Sequence, residues 1–340
     1  MLKPFHLFSI VALGIAAACA TIPAGDPAVT VLASAETVPV GTINEDAADD
    51  PAIWRNAADP MRSLIVGTDK KAGLHVYNLK GEQLSFLEGA GLNNVDLVEL
   101  ADGRVLVAAS DRADLATAHI HLSLLDTQTG KLSFVGRRSV GVGEGYGICI
   151  APPSASGTVQ IFSAPKEGFI YSTIVSLDSP ETVQTTLTTV PSQPEGCVVD
   201  ARTGTLYIGE EAAGIWAIDM ESGTKQLVAA TGSGMLVPDV EGLALAAEGE
   251  EGGYLVASSQ GDNAFAVYRL PDMVPLGRFQ IGVGAFGSVE ETDGIELDPR
   301  SFGPDFPGGL FVAQDGVNPP NAQNFKMVRW DEVLTSLQTY

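Results

Sequence analysis

Glu195-Gly-Cys-Val-Val-Asp200 opens an alternating apolar run with an acidic residue and a glycine, and a looser form, an acidic or polar residue usually followed by Gly and then an apolar strand, recurs along the chain. The other copies are Asp50-Pro-Ala-Ile-Trp54, Val95-Asp-Leu-Val-Glu-Leu100, Tyr146-Gly-Ile-Cys-Ile150, Glu241-Gly-Leu-Ala-Leu245 and Asp293-Gly-Ile-Glu-Leu-Asp298. Their starts at 50, 95, 146, 195, 241 and 293 lie 45, 51, 49, 46 and 52 residues apart. Short strands repeating at about 50 residues are the pattern of propeller blades. Each copy is followed by two more β-runs, such as Leu206-Tyr-Ile-Gly209 and Ile215-Trp-Ala-Ile218. Outer fourth strands are predicted at Gln83–Leu87, Leu132–Val135, Thr185–Val190 and Gly277–Ile281. The last repeat ends at Trp330 and a short helical tail with no outer strand, so the run Val29–Val40 is predicted to supply it. The predicted fold is all-β: a six-bladed β-propeller with four-stranded antiparallel blades, the last closed by an N-terminal strand that removes a free edge.

The 340 residues carry 42 acids against 19 bases, a net charge of −23. Such a chain repels nucleic acid and anionic membranes, so neither is expected as a partner. Residues 1–20 combine one Lys, an apolar core and small residues at the end, which reads as an export signal too short to span a membrane. Two cleavage readings compete. Ala18-Cys19-Ala20 fits a small-x-small site, whereas Ala16-Ala17-Ala18-Cys19 resembles a lipoprotein site with Cys19 lipidated. Either places the protein outside the cytoplasm: periplasmic, anchored to the outer membrane through Cys19, or extracellular. Residues 21–31 read as a short tether, 32–340 as one propeller domain, and a monomer is the default. Cys149 and Cys197 fall on the innermost strands of neighbouring blades; in an oxidising compartment they form a disulfide, or else are two buried small apolar residues.

Because successive strands of a blade are antiparallel, starts of first strands and ends of second strands share one mouth of the channel. First-strand starts bring Asp46, Asp49, Asp50, Asn93, Asn94, Asp96, Tyr146, Glu195, Asp239, Glu241, Glu291 and Asp293 there. Second-strand ends bring Lys70, Lys71, Arg112 and Lys166 on one side, and Glu210, Glu211, Gln260 and Asp315 on the other. Carboxylates crowded around one cavity repel unless cations lie between them. Oxygen donors without His or Cys clustering indicate several Ca²⁺ ions ahead of Mg²⁺ or Mn²⁺. Cations beside Lys and Arg suit a ligand carrying several phosphates, and they support metal-assisted phosphomonoester hydrolysis.

Asp46-Ala-Ala-Asp-Asp-Pro-Ala-Ile-Trp54 resembles the signature of the β-propeller phytases, secreted bacterial enzymes that hydrolyse calcium phytate (myo-inositol hexakisphosphate). The likeness continues through Gly67–Leu74, Leu92–Asp96, Gln193–Gly196, Leu206–Glu211, Asp239–Leu243, Ala257–Asn263, Glu291–Ile295, Phe311–Gly316 and Gln323–Lys326, nearly everything after about Glu36. By motif, the resemblance implies that Lys70, Arg112, Tyr146 and Lys166 bind substrate phosphate, with Lys71 close by, and that a calcium-activated water attacks. It implies active-site calcium ligands at Glu195, Glu211, Asp239, Glu241, Gln260 and Asp293, joined by Asp49 and Glu36, with Glu210 next to Glu211. Asp50, Asn94, Asp96, Asp315 and Asn324 look like structural calcium or channel positions. Two departures bear on a second phosphate site: Ala164-Pro-Lys166 where Gly often precedes the Lys, and the Ala-rich segment 111–118. The spacing from Glu36 to Asp46 is one residue longer than the family's pattern, a further departure, which bears on Glu36. Two rivals remain: a non-catalytic calcium-binding surface propeller, and a six-bladed metal-dependent lactonase or esterase, which would need few phosphate-binding cations.

Overall fold

The computed structural model describes residues 24–339, so the expected export signal and Cys19 lie outside the described residues. Six antiparallel sheets follow one another along the chain, their inner strands being Ala48–Trp54, Leu92–Glu99, Gly147–Ile150, Pro194–Asp200, Val240–Glu248 and Ile295–Asp298. Alternating side chains make each sheet apolar on both faces, and the apolar residues fall into six clusters, one for each pair of adjacent blades. The cluster holding Ile65 and Tyr77 of blade 1 with Val312, Phe325 and Met327 of blade 6 closes the ring. A six-bladed propeller is thereby established. No helix among the described residues is long and apolar enough to cross a membrane; the C-terminal helix Trp330–Gln338 buries Trp330, Val333 and Leu337.

The N-terminal run divides its work, which refines the expectation for Val29–Val40. Only Ala35–Glu36 takes the fourth place in blade 6, antiparallel to Asn324–Arg329. Val29–Leu32 instead runs parallel to Val274–Gly282 as a fifth strand on blade 5. Val31 buries its side chain against the core between blades 5 and 6, and the added strand covers the otherwise free edge of blade 5. The segment expected as a tether therefore enters the fold at Val29. Blade 4 also has an outer strand, Lys225–Ala230, that the sequence reading left out because its pattern is short and half polar.

A shared irregularity positions the mouth. In blades 1, 2, 4 and 5 the ladder between the inner and second strands slips between Ala48 and Pro51, Leu92 and Val95, Pro194 and Cys197, and Val240 and Leu243. The residues inside the slips are Asp49-Asp50, Asn93-Asn94, Glu195-Gly196 and Glu241-Gly242. A bulge re-aims the side chains it carries, and here it turns the first residue of each pair into the mouth. The glycine that follows is a matter of space. A Cβ on Gly196 would stand 2.1 Å from the Glu241 carbonyl oxygen, and one on Gly242 would stand 2.6 Å from the Ile295 nitrogen. The acid-glycine pair of the repeat thus marks where one inner strand passes against the next.

Cys149 and Cys197 form a disulfide, Cα atoms 5.7 Å apart, between the inner strands of blades 3 and 4. Replacing both by Ala is expected to cost about 2–4 kcal/mol, the usual range for a crosslink that restricts the unfolded chain. Denaturant unfolding of the double variant checks this; an unchanged midpoint would show that the bridge adds nothing to stability.

Candidate active site

The mouth is ringed by one residue from each blade: Asp49, Asn93, Tyr146, Glu195, Glu241 and Asp293. Asn93 ties the ring together, its Nδ2 donating to Asp49 Oδ2 at 3.1 Å and to Glu195 Oε1 at 3.2 Å. Glu195, Glu211 and Glu241 each direct a carboxylate oxygen to one point, these atoms lying within 4.8 Å of one another. Burial pushes the carboxyls upward, and neighbouring charge adds to it: Glu211 is raised to about 7, with Asp239 contributing, and Glu241 to about 8, with Asp293 and Glu211 contributing. Glu195 and Asp293 are also driven well above the carboxylate range, by burial first and then by Glu241 and Asp49 respectively. Glu241 Oε2 is buried with no hydrogen-bond partner. Three converging carboxylates, one with an orphaned oxygen, fit a hard divalent cation. Gln260 joins them indirectly, its Nε2 donating to Asp293 Oδ1 at 2.7 Å. Asp239 lies beside Glu211 and anchors the Gln260 backbone through its carbonyl at 3.0 Å.

The basic residues separate into two settings. Lys70 is buried, its Nζ 2.8 Å from Asp46, 3.0 Å from Asp49 and 3.0 Å from Asp293. Burial alone would depress its pKa, but those three carboxylates outweigh it and hold the ammonium charged. Lys70 therefore sits inside the acidic ring. Lys71 points outward, half exposed, 3.8 Å from Glu45. Arg112 and Lys166 flank Tyr146, with Lys166 Nζ 4.3 Å and Arg112 Cζ 5.8 Å from its ring centre. Burial and the charges of Glu195, Asp49 and Glu241 push the Tyr146 phenol upward, so it stays a hydrogen-bond donor. Lys166 is near enough to Glu211 for its charge to act on that carboxyl, so the cationic notch adjoins the carboxylate cluster.

Other expected ligands lie elsewhere. Glu210 turns away from the mouth: it accepts from the Ser192 N–H at 2.7 Å and from Trp216 Nε1 at 2.7 Å, which uses its oxygens to hold a loop. Asp50, Asn94 and Asp96 line a channel cavity of about 170 Å³ below the ring. Glu36, Asp315 and Asn324 gather around Lys326 at the ring closure. Three functional candidates escaped the sequence reading. Glu144 Oε1 stands 3.3 Å from Arg112 and 3.4 Å from Lys166, between the two notch cations. Glu296 faces Asp96 across the channel, and burial drives both upward, Asp96 to about 7. Its signal was available, since Glu296 follows Asp293 by the same three residues that separate Asp96 from Asn93. Lys326 is the third. Beside the ring, an open cavity of about 690 Å³ follows the rim of blades 5 and 6 past Asp46, Gln260, Glu290, Glu291 and Asp293.

The fold and this mouth define a class: a six-bladed propeller with an all-oxygen cation pocket beside a cationic notch. The phytase family model matches residues 5–339. The chain is 35% identical over 326 residues to the 3-phytase of Bacillus subtilis (strain 168), covering 90% of this chain and 85% of that protein. The chain belongs to the phytase family.

Proposed function

We propose that this protein is an exported, calcium-dependent phosphomonoester hydrolase that releases phosphate from phytate. The observation that carries the reading is the Glu195–Glu211–Glu241 cluster set directly against the Arg112–Tyr146–Lys166 notch. Glu195, Glu211 and Glu241 would hold calcium, with Asp49, Asp239, Gln260 and Asp293 completing its surroundings. Bound there, the ions supply charge neutralisation at the transferring phosphoryl oxygens and a water of lowered pKa. Arg112 and Lys166 pair with phosphate oxygens, and the Tyr146 hydroxyl donates a further hydrogen bond. Lys70 keeps Asp49 and Asp293 turned into the ring and adds positive charge beside them. The Cys149–Cys197 disulfide fits an oxidising compartment, which supports export; lipidation of Cys19 would add a membrane anchor.

The test is phosphate release from phytate by the mature chain with millimolar calcium and again with excess chelator. Release that requires calcium is expected; none from folded, calcium-binding protein would favour a non-catalytic surface propeller. Lys166→Ala is expected to raise KM for phytate about 10- to 100-fold, the scale of one charge-assisted hydrogen bond of about 1.5–3 kcal/mol. Initial-rate kinetics at saturating calcium decide it, and wild-type KM in that variant would remove Lys166 from the phosphate site.

A further inference from the structure

The oxygen set at the ring closure already contains a cation. Lys326 Nζ lies 2.8 Å from Glu36 Oε2, 2.9 Å from Asp315 Oδ2 and 2.7 Å from Asn324 Oδ1. Lys326 is 0% exposed. The arrangement is built into the strand pairing, because Glu36 of the incoming N-terminal strand faces Lys326 in register across the sheet. Asn324 is fixed in the orientation that offers its carbonyl oxygen to the ammonium, since its Nδ2 donates to Glu36 Oε2 at 3.1 Å and to the Thr37 carbonyl at 3.0 Å. Glu36, Asp315 and Asn324, expected from sequence to be calcium ligands, therefore do not fit a metal here. An ion at their centre would compete with Nζ for the same three oxygens and meet a buried like charge within bonding distance. Asp315 Oδ2 is buried with no hydrogen-bond partner, but the Lys326 ammonium stands 2.9 Å from it and supplies the positive charge, whereas Glu241 Oε2, equally orphaned, lies in a cluster of three converging carboxylates.

We propose that the Lys326 ammonium serves as an internal replacement for a structural cation, so that the strand Ala35–Glu36 closes the propeller without calcium. Calcium then governs the mouth, while the ring stays shut when the ion is removed. The two functions are separated by one side chain. The inference rests on the calcium reading of the mouth only for the choice of probe ion.

Calcium titration of the full chain against Lys326→Glu tests it. The variant turns the set into a four-oxygen-residue cluster with no internal cation, and it is expected to bind one more ion per chain than the wild type. Its thermal midpoint is expected to depend on that extra ion, with an apparent Kd of about 10⁻⁵ M or tighter, within the range of oxygen-ligand calcium sites. Equal stoichiometry in variant and wild type would overturn the proposal. Should the variant fail to fold, anomalous diffraction from wild-type crystals grown in calcium gives a second reading. An ion peak bonded to Asp315 Oδ2 overturns the proposal, and Nζ density at that centre beside filled mouth sites supports it. Mouth and closure peaks are resolved separately, so a failed calcium assignment at the mouth is not confused with failure here.

Discussion

Glu195→Gln is expected to lower phosphate release from phytate by about 10² or more, on the scale of losing one preorganised electrostatic contact in a buried site, and to weaken calcium binding in parallel. Glu195 is buried, one of three carboxylates meeting at a point, and hydrogen-bonded to Asn93, which also holds Asp49. The amide keeps the shape and removes the charge, so a fall in both rate and occupancy reports the ligand role rather than a packing defect. Glu210→Gln is the control: its neighbour Glu211 points to the cluster while Glu210 serves Ser192 and Trp216, so calcium stoichiometry should stay at the wild-type value. Calcium titration and steady-state kinetics on both variants measure this. Wild-type calcium dependence in Glu195→Gln would remove that residue from the site.

Stripped of calcium, the protein is expected to become less stable as pH rises from 6 to 8 and to level off above that, the reverse of ordinary acid denaturation. Glu211 and Glu241 are raised to about 7 and about 8, above an ordinary value of 4.5. Below that ordinary value the native and unfolded chains are both protonated, and the groups contribute nothing to the difference. Above it the native chain holds more protons than the unfolded one, so stability declines with pH until the native groups ionise. Between pH 6 and 8 Glu241 alone removes on the order of 2–3 kcal/mol of stability; Glu211, half exposed, removes less because solvent screens it. Calcium must displace these protons to bind, so its stabilising effect grows with pH. Thermal unfolding in chelator and in excess calcium at several pH values reads both trends. A chelated midpoint that stays flat or climbs with pH would refute the uncompensated carboxylate cluster.

Much of this architecture is legible in one dimension because a propeller repeats its strands along the chain and brings the same position of each blade to one mouth. Blade number, strand order, the shared mouth and most of the charged positions around it follow from that periodicity. The sequence is less informative where two residues of like type play different parts. Glu210 and Glu211 are adjacent and both acidic, yet alternation in an extended chain sends them to opposite faces, one to a loop and one to the cluster. Lys70 and Lys166 occupy equivalent strand ends, but Asp46, Asp49 and Asp293 enclose only the first. Glu144 precedes Tyr146 by the same two residues that separate Asp239 from Glu241 and Glu291 from Asp293, so the repeat places it at the mouth, but only its approach to Arg112 and Lys166 reveals its part.

The six-fold recurrence of short apolar strands at about 50-residue spacing by itself determined the six-bladed ring, and at Gly147, Gly196, Gly242 and Gly294 the absence of a side chain lets the next inner strand pass close by. The same motifs determined kinship with the phytase family. Tertiary structure alone decided which carboxylates converge, that Val29–Leu32 crosses to blade 5, and that Lys326 fills the oxygen set at the closure. Those outcomes depend on bulges and on partners as far apart as Glu36 and Lys326. Charge and burial at such a point are sums over residues from several blades, and no local stretch of sequence contains them.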